Sequence, residues 1–266
     1  RQKSLDAGKV RAAAKLASSH PDMRVQADHF DAHPLQLNTP GGVVDLATGS
    51  VTAPVPYLYH SKLTAATPAA GCPQWDAFLL WAMRGDEEMV RYLARLVGLS
   101  LLGEVRQHVL PFLYGKEGGN GKSVFLEVLV HALGDYAVQA PNNLLLAGPD
   151  RHPTELALLQ GRRFVAMSEI EKDARFDESK LKSLTGGDRI SARFMRGDFF
   201  QFLPSHIMWL TGNNKPKVET GGNSFWRRVR LIPFTNSLPE EQRDEMLPQK
   251  LKTEAAGILA WAIAGL

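Results

Sequence analysis

Gly115-Lys-Glu-Gly-Gly-Asn-Gly-Lys-Ser123 decides the fold of this 266-residue chain. It follows a short apolar run, Phe112-Leu-Tyr114, and opens the segment Lys122–Leu133, whose apolar residues recur at helical spacing until Gly134. A glycine-rich turn between a strand and a helix is suited to cradle phosphate. Glycines let the backbone curl so that successive N–H groups point inward, and the helix N-terminus adds the positive end of its dipole. In this reading Gly118, Gly119, Asn120, Gly121, Lys122, Ser123 and Val124 surround the phosphates of ATP. The Lys122 ammonium reaches the β- and γ-phosphates, and the Ser123 hydroxyl binds Mg²⁺. The strict spacing G-x4-G-K-[ST] requires glycine at 116, where this chain has lysine, with Gly115 one place earlier. The extra residue is expected to bulge the mouth of the loop and leave Gly118–Ser123 intact.

Working outward, two further buried runs read as strands, Phe164-Val-Ala-Met167 and His206-Ile-Met-Trp-Leu210. Strands alternating with helices imply an α/β fold with a parallel sheet covered on both faces. The first run ends in Ser168-Glu-Ile-Glu171. Glu169 and Glu171 would share one face of an extended chain, and Glu169 stands at the strand's C-terminal end, where open parallel sheets bind ligands. Glu169 is therefore the candidate metal ligand with Ser123, and Glu169 or Glu171 the group that orients a water. The second run leads into Thr211-Gly-Asn-Asn-Lys-Pro216, so Asn213, or failing it Asn214, would sense the γ-phosphate. Asn214-Lys215 invites comparison with the guanine-reading Asn-Lys-x-Asp of GTPases, but position 217 is lysine, so guanine recognition is unsupported.

The remaining segments divide the chain into regions 1–70, 71–110, 111–236 and 237–266. The first holds a short Ala/Lys-rich helix at Val10–Ala17, a hairpin around Val43-Val44 and a Pro/Ala/Thr-rich linker at 50–73. The second is a helical lead-in with stripes Trp75, Phe78, Leu79, Ala82 and Met89, Val90, Leu93, Leu96, Val97. The third is the α/β core, and the last a helical segment with Leu251, Ala255, Ile258, Leu259, Ala262 and Ile263 on one face. Both ends read as interior to a longer protein. With 44% hydrophobic and 22% charged residues there is material for a buried core, and a formal charge of +3 fits a nucleic-acid partner without requiring one. A lone cysteine, Cys72, rules out an intrachain disulfide or thiolate cluster and favours a reducing compartment. No apolar run reaches the length of a membrane span.

Two more stretches carry chemistry. Ile190-Ser-Ala-Arg-Phe-Met-Arg-Gly-Asp-Phe-Phe-Gln-Phe-Leu203 reads as a β-hairpin around an Arg-Gly-Asp turn, with Lys182, Arg189, Arg193 and Arg196 gathering positive charge. Such a hairpin can hold a sugar-phosphate backbone without reading sequence, or be an ordinary basic surface element. Phe225-Trp-Arg-Arg-Val-Arg-Leu-Ile-Pro-Phe234 places Arg227 and Arg228 side by side. These could pair with acids of the same chain or reach outward.

Taken together, the motifs resemble the superfamily 3 helicase domain of phage, plasmid and poxvirus-type primase-helicases, over nearly the whole chain. Asn38–Gly49 looks like that family's upstream hairpin and Pro73–Gly98 like its helical lead-in. Gly118–Ser123, Ser168-Glu169 and Gly212–Pro216 look like its phosphate loop, acid motif and sensor motif. More diagnostic are Leu181–Arg193, similar to the motif between acid and sensor strands, and Phe225–Phe234, similar to the arginine-finger segment. The resemblance implies an AAA+-like P-loop ATPase that assembles into a ring, expected to be a hexamer, on single-stranded DNA and separates duplexes. It implies DNA contact at Lys182, Arg193 and Arg196, and an arginine, Arg227 or Arg228, that completes a neighbouring subunit's site. It also implies a primase domain on the same full-length chain and a cytoplasmic setting, bacterial or in a virus-infected host cell. Rival readings are a DNA-stimulated loader that does not unwind, a small-molecule kinase, for which no acceptor lid is evident between Gly134 and Gly161, and a DNA-binding module with a dead phosphate loop.

Overall fold

A computed structural model describes residues 6–23, 25–142, 144–148, 153–168, 175–214 and 222–266. The exposed helix α1 (Ala7–Ser19) is capped by Asp6, whose carboxylate accepts from the Gly8 amide at 2.8 Å. Strands β1 (Gln36–Thr39) and β2 (Gly42–Asp45) form a tight antiparallel hairpin that β3 (Val51–Thr52) extends. The helical lead-in follows as α2 (Pro73–Ala82) and α3 (Glu87–Leu99). Proline starts α2, and Glu254 accepts from its first amides, Gln74 at 3.1 Å and Trp75 at 2.9 Å, a carboxylate on the positive end of the helix.

The core then alternates. β4 (Leu110–Tyr114) leads through the glycine loop into α4 (Lys122–Leu133), and β5 (Ala137–Ala140), α5 (Thr154–Ala157), β6 (Phe164–Met167) and α6 (Glu178–Thr185) follow. A two-stranded hairpin, β7 (Ile190–Arg193) and β8 (Phe199–Phe202), precedes β9 (Ile207–Gly212), α7 (Asn223–Trp226) and β10 (Val229–Pro233). The chain closes with α8 (Leu247–Lys252) and α9 (Ala255–Ala264). Five strands pair in the order β10-β4-β9-β6-β5, every pair parallel. All their C-terminal ends therefore lie along one edge, with the glycine loop after β4 beside the ends of β9 and β10.

Period-two alternation splits the sheet's side chains between two cores. Leu113 and Trp209 face the layer of α2, α3, α4, α8 and α9, whereas Phe112, Met208 and Leu210 face α6, α7 and the β7–β8 hairpin. Aromatic rings tie the first layer together. Trp75 stacks on Phe125 at 5.5 Å, Phe125 meets Trp209 at 5.8 Å, and Trp209 stacks on Phe164 at 5.3 Å. Each such pair adds about 0.5–1.5 kcal/mol beyond its burial, and this row fixes α4, and so its N-terminus, relative to the sheet.

The stripe expected on α2 is buried, and those of α3 and the C-terminal helices are buried except for Met89, Val90 and Ile263, which are half-buried at their margins. The segment at 50–73, read as a linker, is a strap on the core: Ala65 N donates to Ala132 O at 3.1 Å, Asp135 N to Leu63 O at 2.8 Å and Ala69 N to Ala256 O at 3.1 Å. Arg163 fastens the hairpin end of this region. Its buried guanidinium donates to Gln36 O at 2.7 Å and Leu101 O at 2.5 Å and lies 4.6 Å from the Tyr136 ring centre.

Candidate nucleotide site

The cradle is built by three glycines with different jobs. Gly115 ends the strand beside β10, and a Cβ there would stand 2.2 Å from Phe234 O and 2.4 Å from Asn120 Nδ2. Only glycine fits, which explains why the motif's first glycine sits at 115 while Lys116 is turned to solvent. Gly119 and Gly121 hold φ of +72° and +86°, the left-handed conformations that curl the loop into the first turn of α4. Asn120 fills the inside of the turn, donating to Glu117 O at 2.5 Å.

Lys122 is the centre of the arrangement. It is 3% exposed, and its Nζ lies 3.0 Å from each of Gly115 O, Asn120 Oδ1 and Asn213 Oδ1. The candidate loop lysine and the candidate sensor are thus in direct contact, although 91 positions separate them. Their meeting follows from topology, because β4 and β9 are neighbours with Tyr114 opposite Gly212. Asn213 is half-buried at this junction, and Asn214 is exposed. Thr211, on the face of β9 that carries Trp209 toward α4, has a buried hydroxyl with no partner among the described residues. Ser123 is exposed at the start of α4, and Val124 is half-buried after it. Glu169 and Glu171 lie outside the described residues, as do Lys215 and Pro216. Ser168, where β6 gives way to them, accepts from Gln139 Nε2 at 3.3 Å and bonds Asn142 Oδ1 at 2.8 Å.

A triphosphate fits these residues. The ammonium is held by neutral oxygens that phosphate oxygens can replace, a Cβ at Gly118 would meet nothing within 4 Å, and the unpartnered hydroxyl stands one strand away. No local pattern announces the segment that walls the loop from outside. Leu238 N donates to Gly119 O at 3.1 Å, Ser237 Oγ to Glu117 Oε2 at 2.8 Å, and a Cβ on Gly119 would lie 2.4 Å from Arg243 Nε. On the α2 side, a Cβ on Gly121 would lie 2.8 Å from the Phe78 ring. None of these contacts has a local pattern, since each joins residues far apart in the chain.

The paired arginines part company. Arg228 is 6% exposed, and its Nη1 donates to Ser224 O at 2.5 Å. Burial, with the charge of Arg227 beside it, lowers its pKa. Arg227 is exposed at the end of α7 and lines a cavity of about 440 Å³ with Arg106, His108 and Arg230. That cavity lies by the N-terminal ends of β4 and β10, the opposite end of the sheet from Lys122. Lys182 belongs to α6 and pairs with Glu178 at 3.6 Å, so its charge is engaged at home. Arg193 ends β7, and Arg196 occupies the turn with φ of +59°.

A parallel five-stranded sheet flanked by helices, with a glycine-rich turn from its inner strand β4 into a helix, defines a P-loop-like NTPase core of the α/β class. Residues 1–84 match a family described as D5 N terminal like, and residues 113–228 match a family of unknown function, DUF5906. Among curated proteins, the chain is 30% identical over 154 residues to a "Putative helicase" of Acanthamoeba polyphaga mimivirus, covering 56% of this chain and 16% of that protein. It is 27% identical over 178 residues to another "Putative helicase", of Invertebrate iridescent virus 6, covering 60% and 18%. The chain thus spans less than a fifth of the curated relatives it matches. The apo structure of the NrS-1 C-terminal region superposes with a TM-score of 0.59 at 15% identity, over 89% of this chain and 54% of that one, a likeness of fold. Together these matches agree with the resemblance drawn from the motifs: the chain is similar to primase-helicases of the superfamily 3 type. No helix among the described residues is long and apolar enough to cross a membrane.

Proposed function

We propose that this chain is the ATP-driven motor of a DNA helicase, which moves on single-stranded DNA as a ring. The observation that carries this reading is the buried contact of Lys122 with Asn213 at 3.0 Å inside a glycine cradle at the strand ends. On binding, the triphosphate exchanges its oxygens for those that now hold Lys122, and Asn213 is left beside the γ-phosphate. Gly118 to Val124 supply backbone amides and the helix N-terminus, and Arg243 adds a positive charge at Gly119. Magnesium would be held by Ser123 and Glu169 and would neutralise charge on the phosphates. Glu169 or Glu171 orients the attacking water.

Arg227 is the arginine for a neighbouring subunit, because it is exposed at the end of the sheet remote from its own cradle, while Arg228 braces α7 from within. The viral relatives named as helicases support an enzyme that acts on DNA, and Arg193 and Arg196 on the β7–β8 hairpin are its proposed DNA contacts. The regions 1–70, 71–110, 111–236 and 237–266 serve as hairpin and strap, lead-in, motor core and closing helices. Strand displacement on a forked duplex, followed together with particle mass, tests this. Unwinding that needs ATP and magnesium and accompanies ring-sized particles is expected. DNA-stimulated hydrolysis with no displacement at any concentration would instead support the loader reading.

A further inference from the structure

Four large apolar side chains on or just beyond the β7–β8 hairpin lie outside both cores. Phe194 is 57% exposed, Met195 77% and Phe199 62%, and Leu203 beyond β8 is exposed as well. Scattered exposed apolar residues are ordinary, but a cluster on a protruding turn is a contact surface. The hairpin's base is anchored, because Ile190, Ala192 and Phe202 are buried. Its tip is ordered by its own contacts: Gly197 N donates to Phe194 O at 2.9 Å, and the Phe194 ring stacks on Phe200 at 5.0 Å with 19° between planes. In the register of the pair, Arg193 stands opposite Phe199, with its guanidinium carbon 5.3 Å from that ring's centre. Arg189 and Arg196 are exposed at either side.

Aromatic rings interleaved with arginines are what unpaired nucleic acid calls for. Each base offers a flat apolar face to stack, and each linking phosphate a negative charge. Arg193 lies against the Phe199 ring itself, so a cation and an aromatic face are presented together, with Asp198 the exposed acid of the turn. We propose that the outer face of the β7–β8 hairpin is a base-stacking platform, on which Phe199 holds an unpaired base while Arg193 beside it and Arg196 in the turn hold the adjoining phosphates. This rests on the proposed role of the hairpin as the DNA contact. It adds that the grip is on bases as well as backbone, so a strand without bases is held poorly.

Two probes of equal charge separate the parts: a fluorescent oligothymidylate, and an abasic phosphodiester of the same length. The chain is expected to bind the first about tenfold more tightly than the second, the range of one stacked base. Phe199→Ala brings that ratio close to one and leaves the slope of log Kd against log salt unchanged. Phe199→Tyr restores the ratio. Arg193→Ala with Arg196→Ala flattens the salt slope and keeps the ratio. Equal affinity of the parent for both probes overturns the proposal, as does a ratio indifferent to Phe199→Ala. So does a phenylalanine variant whose particle mass falls while its ratio stays intact, which makes the tip a contact between copies. If neither the arginine nor the phenylalanine variants alter affinity for oligothymidylate, the hairpin's role as the DNA contact fails with it.

Discussion

Gly115 and Gly118 sit three places apart in the same loop and have opposite tolerances. A methyl at 115 collides with the backbone of Phe234, so the strand end or the loop must shift, and Gly115→Ala is expected to cost about 1–3 kcal/mol in urea unfolding and to weaken nucleotide binding. Open space surrounds 118, and Gly118→Ala should stay within about 0.5 kcal/mol of the parent. Equal losses would mean that the loop is not shaped as described. The two arginines divide in the same way. Arg227→Ala should leave stability unchanged and lower turnover of the assembled protein about a hundredfold or more. Arg228→Ala, which removes the bond to Ser224 O, should cost about 1–3 kcal/mol before any effect on turnover. Unfolding curves set beside steady-state rates check both, and the reverse pattern would exchange their assignments.

Between residues and fold lie the elements, and α4 is the one on which the cradle depends. Phe125 packs between Trp75 and Trp209, and Phe125→Ala should cost about 3–5 kcal/mol, with nucleotide affinity falling as α4 loosens. His206, wholly buried just before β9, donates from Nε2 to Leu184 O at 3.2 Å, and burial pushes its pKa down to about 4. The unfolded chain takes up this proton near pH 6.5 and the folded chain only near 4, so stability is lost as pH falls through that window. The loss should be about 2 kcal/mol between pH 7 and pH 5 and should shrink in His206→Gln, as measured by urea unfolding at the two values. The elements also differ in how far their sequences announced them. The apolar runs of β4, β6 and β9 are buried on both faces and stood out, as did the stripes of α2 and α4. Ala137–Ala140 is short and mixed, and edge strand β10 is mostly part-exposed, carries Arg230 and ends in Pro233, so neither shows the continuous buried run of the inner strands.

Seen whole, the molecule places the cradle and Asn213 along one edge of the sheet and Arg227 by the opposite end. Glycine loop, lysine and asparagine were legible because each is a local pattern tied to a strand end. Arg243 over Gly119, Phe78 against Gly121 and the strap at 50–73 were not, because they arise only when remote segments pack. With Arg227 in its proposed role and facing away from the cradle, one copy does not complete its own site, so turnover should depend on assembly along DNA. ATP hydrolysis by the parent and by Lys122→Ala, each with and without single-stranded DNA, tests the whole reading. The parent is expected to turn over slowly alone and several-fold faster with DNA, and the variant to lose nearly all activity in both states. A Lys122→Ala protein that hydrolyses ATP as fast as the parent would contradict the assignment of the cradle.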